Sequence, residues 1–375
     1  MQRLGIGLIG SGFMGRCHAL AFRAAPGIFD LPARPMLELL ADVDDEVARR
    51  GAEELGFARS TGDWRVLVAD PKVDLVAIAA PNVLHKPIAL AAIAAGKPVY
   101  CEKPLAPDAA DAKILVDGAE AAGVKTMVGF NYLKNPMTAL AREIVSSGEI
   151  GEVMGFRGIH AEDYMADPAA PYTWRLEPSG GAGVVTDLGS HVISMARFLV
   201  GDIAAVCGHI ETIVKERPVG TGAAETRAVE VCDQARCLVR FAGGASGSIE
   251  ASWVATGRKS QLDYEITGTK GSLAFTQERM NELKLYTLGQ PSGREGYKTI
   301  VAGPDHPPYA DFCPAPGHQL GFNDTKTIEV RDLIVGLAGG GAPWPDFREA
   351  WEVQRVVDAI VGSASDGRWV NIAEV

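Results

Sequence analysis

The chain has 375 residues, of which 47% are hydrophobic and 22% are charged, a composition typical of a globular protein with room for two domains. Its formal net charge of −11 argues against a nucleic-acid partner, because an acidic surface repels a phosphate backbone. No apolar run approaches the ~20 residues of a membrane span, and the short apolar N-terminal stretch leads into a glycine turn. We therefore expect no membrane segment and no signal peptide.

The cysteines are scattered and form no C-x-x-C pair. This pattern is typical of reduced thiols in a cytoplasmic protein, and it does not favour zinc, so we expect no metal site. The six cysteines are Cys17, Cys101, Cys207, Cys232, Cys237 and Cys313.

The N-terminal segment joins a short apolar run to a glycine motif. Residues 4–9 predict a buried strand, the next six residues have the spacing G-x-G-x-x-G, and a helical pattern follows. This order of strand, turn and helix is typical of dinucleotide binding. Gly10 permits the tight turn, Gly12 lets a pyrophosphate approach the backbone, and Gly15 allows the helix to pack closely on the strand. The N-terminus of the helix would attract the phosphates.

The predicted nucleotide site continues at Asp42. A strand over residues 36–41 ends there, and we expect its carboxylate to bind the ribose hydroxyls, with Phe13 and Met14 also in the cofactor site. The connection from the glycine motif exceeds the usual ~20 residues, and we assign the excess to a proline-rich insert around Pro26, Pro32 and Pro35. A carboxylate would repel the 2′-phosphate of NADP, so the prediction is NAD rather than NADP.

Strands alternate with helices up to about residue 130. We predict helices over 43–55, 84–95 and 108–121, and strands over 73–79, 98–101 and 125–128. This alternation predicts an α/β domain over residues 1–129 with a doubly wound parallel sheet of the Rossmann type. Ligands bind at the carboxyl ends of such strands, so the residues that follow strand ends should line one crevice. The predicted cofactor contacts there are Pro81, Asn82, His85, Glu102 and Lys103.

The pattern changes in residues 130–375. Strand-like runs cover 153–160, 204–214, 236–241, 247–252, 262–267 and 283–288, with helices over 135–147, 190–200, 325–337 and 344–361. They predict an α+β domain with a large, mostly antiparallel sheet, which would bind substrate and form the subunit contact. Helices would cover one face of that sheet, and we expect a partner subunit to cover the other. Residues 289–318 lack periodicity and predict a long functional loop.

Two segments carry residues suited to catalysis. Lys103 follows a strand end, where its ammonium could polarise a substrate oxygen, although a surface lysine paired with Glu102 is an equally open interpretation. Asp187 and His191 stand four residues apart after a glycine-rich turn. On a helix they would share a face as a base and its orienting carboxylate, but Asp187 as a helix cap and His191 as a core residue is the alternative.

Polar and aromatic residues elsewhere are suited to binding a hydroxylated ring. These candidate substrate contacts are Asn131, Tyr164, Trp174 and Arg175. Each of them taken singly is also compatible with a plain structural role.

Taken together, these segments resemble the glucose–fructose oxidoreductase / inositol dehydrogenase (Gfo/Idh/MocA) family. The resemblance covers nearly the whole chain, and its most specific pieces are the glycine motif, Pro81 through His85, Cys101 through Leu105, Gly129 through Asn131, and Gly181 through His191. It implies a two-domain enzyme that binds NAD or NADP and oxidises or reduces a sugar or cyclitol carbon. It also implies dimers or tetramers formed through the sheet faces.

The resemblance assigns roles to the candidate catalytic residues. Lys103, Asp187 and His191 match the family's catalytic trio: His191 as general base, Asp187 as its orienting group or a substrate ligand, and Lys103 as support for the reacting oxygen. It also implies that the peptide before Pro104 is often cis. The chain departs from the usual pattern at Ala80 and Ser194, and residues 131–134 lack the frequent arginine.

The resulting hypothesis is a cytoplasmic, homo-oligomeric, NAD-dependent oxidoreductase. It would transfer hydride between nicotinamide and a secondary hydroxyl or ketone of a sugar, anhydrosugar or cyclitol. Two alternatives stay open: an NAD-dependent glycosidase that oxidises its sugar transiently, and a non-catalytic NAD-binding sensor.

Overall fold

The computed structural model describes residues 2–375 as two compact units. The first comprises the residues up to Lys134 together with Gly321–Glu352, and the second comprises Asn135–Leu320 and Val353–Val375. This division differs from the predicted one mainly in the segment 321–352, which belongs to the first unit. None of the helices within residues 2–375 combines the length and apolar character that crossing a membrane requires.

Strands and helices alternate in the part of the chain before Asn135. In order, they are β1 (Gln2–Ile9), α1 (Phe13–Ile28), β2 (Ala33–Ala41), α2 (Asp45–Leu55), β3 (Arg59–Thr61), α3 (Trp64–Ala69), β4 (Leu75–Ile78), α4 (His85–Ala94), β5 (Val99–Cys101), α5 (Ala109–Ala122) and β6 (Thr126–Val128).

The rest of the chain is richer in strands. Its elements are α6 (Pro136–Ser146), β7 (Val153–Ala161), α7 (Ser190–Val200), β8 (Ile203–Glu211), β9 (Glu216–Pro218), β10 (Thr226–Ala228), β11 (Gln234–Phe241), β12 (Ser246–Ser252), β13 (Gln261–Gly268), β14 (Gly271–Thr276), β15 (Glu282–Thr287), β16 (Lys298–Val301), α8 (Tyr309–Phe312), α9 (Phe322–Leu337), α10 (Phe347–Asp366) and β17 (Val370–Asn371).

The first unit contains a six-stranded parallel sheet in the order β3-β2-β1-β4-β5-β6. This order confirms the predicted doubly wound Rossmann sheet, in which the strand order reverses between β1 and β4. The carboxyl ends of these two strands carry the glycine turn and the segment that begins at Ala79. The short β3 escaped prediction because its three residues show no apolar run.

Of the three prolines predicted to form an insert between the glycine motif and the second strand, only Pro32 lies in the connection between α1 and β2. Pro26 lies inside the last turn of α1, and Pro35 lies in β2 opposite Leu4 of β1. Proline is tolerated there because β3 pairs only with residues from Leu39 onward, so β2 has a neighbour on one side at Pro35. The longer connection therefore comes from a longer helix and strand.

Helix α9 is part of the first unit because it packs against α1. The Phe322 ring stacks on Phe13 with centroids 6.0 Å apart, and the Arg331 guanidinium lies 5.0 Å from the Phe29 ring. Sequence order alone places α9 beyond the second sheet, which is why the prediction assigned it to the other domain.

The second unit contains a nine-stranded sheet in the order β16-β15-β14-β13-β7-β12-β11-β8-β17. All neighbours are antiparallel except β7 and β12, which confirms the predicted mostly antiparallel sheet. Helix α7 packs on one face, and Gly158 of β7 leaves the space that Val192 of α7 fills. Side chains on the other face, such as Leu238, remain exposed.

The segment 289–318 is not the structureless loop that its composition predicted. Strand β16 pairs with β15 at the sheet edge. Tyr309, the first residue of α8, is fully buried. The Tyr309 hydroxyl accepts hydrogen bonds from the backbone N–H groups of His318 and Gln319. One buried tyrosine and one strand pair therefore hold this segment in place. Neither contact produces a periodic sequence pattern, so neither could be predicted.

Candidate active site

The glycine turn after β1 has the geometry of a nucleotide-binding turn. Gly10 adopts φ +98°, a conformation that side chains rarely tolerate, and its N–H donates to the Ala41 carbonyl. A Cβ at Gly15 would lie 2.0 Å from the Gly10 oxygen, so only glycine lets α1 approach so closely. A Cβ at Gly12 would meet no protein atom within 4 Å. Packing within the protein therefore does not require glycine at position 12. A pyrophosphate that approaches the backbone there would require it.

The start of α1 suits a bound phosphate. Gly12 is the N-cap and supplies no side-chain acceptor to the first N–H groups of the helix. Those N–H groups and the positive end of the helix dipole favour an anion. Phe13, the most exposed large apolar residue beside them at 70% exposure, and the partly exposed Met14 border this turn. The residues present therefore fit the pyrophosphate of a dinucleotide.

Asp42 is held next to the glycine turn. Its Oδ2 accepts hydrogen bonds from the Ser11 backbone N–H at 2.7 Å and the Ser11 hydroxyl at 2.5 Å, and its Oδ1 accepts the Val43 N–H at 2.7 Å. The carboxylate is partly exposed and keeps lone pairs for further donors. Ser11 thus fixes the Asp42 carboxylate, the group predicted to bind the ribose. The sequence analysis did not single out Ser11, because it occupies a variable position of the glycine motif.

The end of β4 leads into the second predicted cofactor segment. Pro81 is exposed and Asn82 is partly exposed, at the start of a 3-10 turn over Asn82–Leu84. His85 lies behind them and is buried: its Nδ1 lies 2.7 Å from the Pro104 carbonyl and its Nε2 lies 2.9 Å from the Ala80 carbonyl. Because both ring nitrogens face backbone oxygens, His85 supports the two loops rather than offering a nitrogen to a ligand.

Lys103 stands at the end of β5, between a buried glutamate and a proline. Its side chain is partly exposed, and the Lys103–Pro104 peptide is cis, as the family resemblance implied. The Glu102 carboxylate lies 2.7 Å from both His18 Nε2 and Lys326 Nζ. Like His85, Glu102 is therefore placed for a supporting role rather than the predicted cofactor contact.

Asn131 is also buried, with 2% of its surface exposed. Its amide donates to the Thr325 hydroxyl at 2.9 Å, which connects the turn after β6 to α9. This geometry favours a structural role over the predicted substrate contact.

In the second unit, the predicted catalytic residues Asp187 and His191 follow a glycine-rich turn. The Ala182 N–H donates to Thr186 Oγ1 at 2.8 Å, which closes the turn. Residues Val185–Gly189 then form one π-helical turn that runs into α7. Single π turns are rare and are found often at functional sites, because the extra residue re-aims the side chains around it. Asp187 lies in this turn and His191 in the first turn of α7.

Asp187 contacts two of the predicted substrate residues, and one of these contacts a third. Tyr164 donates its hydroxyl to Asp187 Oδ2 at 2.7 Å, and Arg175 Nε lies 3.5 Å from the same oxygen. The Arg175 guanidinium in turn lies 4.5 Å from the Trp174 ring centroid. Burial raises the pKa of the Tyr164 hydroxyl, and the Asp187 charge raises it further, so tyrosine remains the donor at neutral pH. The prediction that these residues share one site is supported by their direct contacts.

Buried residues hold the loop that carries Tyr164 in place. Buried Arg217 donates to the backbone carbonyls of Met165 at 2.6 Å and Asp167 at 2.8 Å. The Met165 N–H donates to the carbonyl of Trp253, whose ring packs edge-on against Tyr164 at 6.2 Å. The geometry of the Asp187 cluster is therefore set by residues that show no local motif.

His191 is buried except for 6% of its surface. Its ring lies edge-to-face with His160 of β7, with centroids 5.4 Å apart, and His160 Nδ1 lies 3.0 Å from the Leu188 carbonyl. A largely buried imidazole next to the turn that carries Asp187 is placed to accept a proton from a bound hydroxyl. His160 was missed because a lone histidine in a strand carries no distinguishing sequence signal.

Comparison with known proteins identifies the class to which this fold and these residues belong. Residues 4–130 match the model of an oxidoreductase family with an NAD-binding Rossmann fold, and residues 138–274 match the GFO/IDH/MocA C-terminal domain. The chain therefore belongs to the Gfo/Idh/MocA family of oxidoreductases, and NAD is its cofactor. The family resemblance and the cofactor predicted from the sequence are both confirmed.

Several individual relatives match over the full length. A levoglucosan dehydrogenase from Pseudarthrobacter phenanthrenivorans is 39% identical over the whole of both chains. A solved levoglucosan dehydrogenase in complex with NADH and levoglucosan is 40% identical, with a TM-score of 0.95 over 99% of this chain and 100% of that one. An NAD-binding oxidoreductase from Klebsiella pneumoniae is 47% identical, with a TM-score of 0.94 over 99% of both chains.

The Asp42 assignment predicts a change in cofactor selectivity. We expect Asp42→Ala to weaken NADH binding about 10- to 100-fold, because charge-assisted hydrogen bonds to the ribose would be lost. NADPH binding should weaken less or improve, because a repelling charge is removed. Fluorescence titration of the purified protein with each nucleotide measures both dissociation constants.

Asp44→Ala is the matched control. It removes a carboxylate two residues away, whose side chain caps α2 by accepting the Val47 N–H at 2.7 Å. An unchanged ratio of the NADH and NADPH dissociation constants in Asp42→Ala would contradict the assignment.

Proposed function

We propose that this protein is an NAD-dependent dehydrogenase that oxidises a secondary hydroxyl of a sugar, anhydrosugar or cyclitol, with a 1,6-anhydrohexose such as levoglucosan as the first candidate. The observation that carries the proposal is the cluster of Tyr164, Trp174 and Arg175 around Asp187, four positions before His191. Full-length similarity to levoglucosan dehydrogenases supports the substrate class.

The cluster is chemically suited to a hydroxylated ring. The Asp187 carboxylate accepts hydrogen bonds, and the Arg175 guanidinium and the Tyr164 hydroxyl can donate them. Trp174, with 44% of its surface exposed, offers an apolar ring surface against which the C–H groups of a sugar can pack. This combination of polar groups and one flat apolar surface matches the alternation of hydroxyls and C–H groups on a carbohydrate.

The proposed reaction divides among three side chains. His191 accepts the proton of the reacting hydroxyl, and Asp187 orients the substrate or the imidazole. Lys103 places its ammonium at the same oxygen and stabilises the developing alkoxide by a few kcal/mol in a poorly hydrated site. Bound NAD would supply the hydride acceptor for the carbon that carries this hydroxyl.

We assign oligomerisation to the uncovered face of the nine-stranded sheet, as a homodimer or homotetramer. Leu238 of β11 is 55% exposed on this face, beside the cross-strand charges Arg236 and Glu250 at 3.6 Å. Antiparallel sheets can leave one face in water, but exposed apolar side chains among paired charges also suit a self-complementary contact. The six free cysteines support a cytoplasmic location.

The substrate proposal predicts NADH formation with a restricted set of sugars. We expect the wild-type protein with NAD to produce NADH at 340 nm from levoglucosan or a close analogue among inositols, pentoses and hexoses. Release of nitrophenol from a nitrophenyl glycoside without net NADH would instead identify the transient-oxidation glycosidase. NADH binding with neither activity would identify a sensor.

The catalytic assignment predicts that Lys103→Met and His191→Asn each lower kcat by about 10²-fold or more, because each removes a group that acts on the reacting oxygen. NADH should still bind both variants by fluorescence titration. Lys113→Met, which removes an exposed lysine paired with Asp117, is the matched control and should keep wild-type kcat. Wild-type turnover in either active-site variant would refute the mechanism.

The oligomer assignment predicts that Leu238→Glu dissociates the assembly, because it places a charge in the centre of the contact. Sedimentation velocity should then show a monomer, whereas the wild-type protein should sediment as a dimer or larger. Ile114→Glu, on an exposed helix of the first unit, is the control and should not change the assembly. A monomeric wild-type protein, or an unchanged assembly in Leu238→Glu, would contradict the proposed interface.

A further inference from the structure

The first unit buries a group of ionisable side chains for which the proposed reaction has no use. We call it the Glu102 network, and its members come from α1, β5 with the residue after it, and α9. They are His18, Tyr100, Glu102, Lys326 and Glu329, each 5% exposed or less.

The Lys326 ammonium is the centre of this network. It donates to Glu102 Oε1 at 2.7 Å, to Glu329 Oε2 at 2.7 Å and to the Tyr100 hydroxyl at 3.1 Å. The Tyr100 hydroxyl donates in turn to Glu329, and His18 Nε2 lies 2.7 Å from Glu102 Oε1. Lys326 and Glu102 are separated by 224 positions in the chain, so the network ties α9 to the strand end that carries Lys103.

The central pair of the network is charged. Burial raises the pKa of the Glu102 carboxyl, but the Lys326 ammonium and the bond to His18 outweigh burial and hold that pKa well below its usual range. Burial lowers the pKa of Lys326, but the charges of Glu102 and Glu329 outweigh it and hold that pKa above its usual range. A buried ion pair of this kind contributes little to stability compared with apolar side chains of equal volume, so its presence calls for another role.

The backbone on both sides of Lys103 is fixed by buried groups. On one side, the Glu102 N–H donates to the Ile78 carbonyl at 2.9 Å, and its carboxylate is held by Lys326 and His18. On the other side, the Pro104 carbonyl lies 2.7 Å from His85. Space for the carboxylate is tight, since a Cβ at Gly129 would lie 2.7 Å from Glu102 Oε1.

We propose that Glu102 and Lys326 are positioning residues, whose buried ion pair holds the Lys103 backbone at the end of β5 so that the ammonium meets the reacting oxygen. Through His18, the same carboxylate ties this segment to α1, the helix whose N-terminus is suited to bind the cofactor phosphates. This inference rests on the proposed role of Lys103. It predicts that loss of the pair weakens transition-state stabilisation without loss of ground-state binding.

The test compares four variants: Glu102→Gln, Lys326→Met, the charge-balanced double variant, and Gly129→Ala. The last keeps every charge and only displaces the carboxylate. With the full-length protein and the sugar that the wild-type enzyme oxidises, each should lower kcat about tenfold or more and change KM and the NADH dissociation constant less than about threefold. The double variant should lose no more than the worse single variant, because both residues act through one contact.

Hydrogen–deuterium exchange supplies a readout that does not depend on turnover. The peptide over residues 99–106 should exchange faster in all four variants than in the wild type, with NADH present or absent. Glu120→Gln, which removes an exposed carboxylate paired with Arg348, is the control and should alter neither exchange in that peptide nor kcat. In a Lys103→Met background, Glu102→Gln should cause no further loss of kcat.

Lower melting temperatures with unchanged kcat and unchanged exchange over 99–106 would reduce the Glu102 network to a stability element and overturn the proposal. Additional loss of kcat in the Lys103→Met background would also overturn it, because Glu102 would then act by another route. If the wild-type protein oxidises none of the sugars, the proposed function fails, while faster exchange in the variants would still support the positioning of the 102–104 segment.

Discussion

The contact between Gly15 and the Gly10 carbonyl decides where α1 lies on the parallel sheet. A single methyl group at position 15 would come within 2.0 Å of that oxygen, so the helix could not start where it does. Its N-terminus would then no longer face the carboxyl edge of the sheet, where Asp42 and the ends of β4 and β5 lie. Farther along the same helix, His18 reaches Glu102 at 2.7 Å. One steric requirement thus links the phosphate-binding turn to the segment that carries Lys103.

In the second unit, the candidate site residues lie on loops, on an irregular turn and at the start of α7. The π turn over Val185–Gly189 places Asp187, and Tyr164 and Arg175 hold its carboxylate. The position of Tyr164 depends on buried Arg217 and Trp253, which contact its loop and its ring. A rigid nine-stranded sheet supports these loops, which leaves the loops free to differ between enzymes with different sugars.

Most of the architecture could be predicted because it depends on local patterns. The glycine motif, the alternation of strands and helices, and the Asp42 position all follow from short-range sequence rules. The errors arose where tertiary contacts override such rules. Pro26 and Pro35 lie within regular elements, and Tyr309 anchors a segment that looks structureless.

The candidate site also contains both residues that local patterns predicted correctly and residues whose orientation depends on tertiary contacts. The residues with direct functional signals, such as Asp187 with Tyr164 and Arg175, lie together as expected. Glu102, His85 and Asn131 follow strand ends as ligand-binding residues do, yet their side chains turn inward to Lys326, two backbone carbonyls and Thr325. Sequence position identifies the edge of a sheet, but the direction of a side chain there depends on its tertiary partners, which for Glu102 and Asn131 lie 224 and 194 positions away in the chain. Lys326 carries no motif and was therefore invisible before the fold was known.

Transfer of a carbon-bound hydrogen from sugar to cofactor tests the central claim most directly. The protein should be incubated with NAD and a perdeuterated sugar that it consumes, levoglucosan first, and the nicotinamide product examined by proton NMR. We expect one deuterium at C4 of the NADH and an equal amount of a ketone product. Consumption of the sugar with no deuterium in the nicotinamide would contradict it.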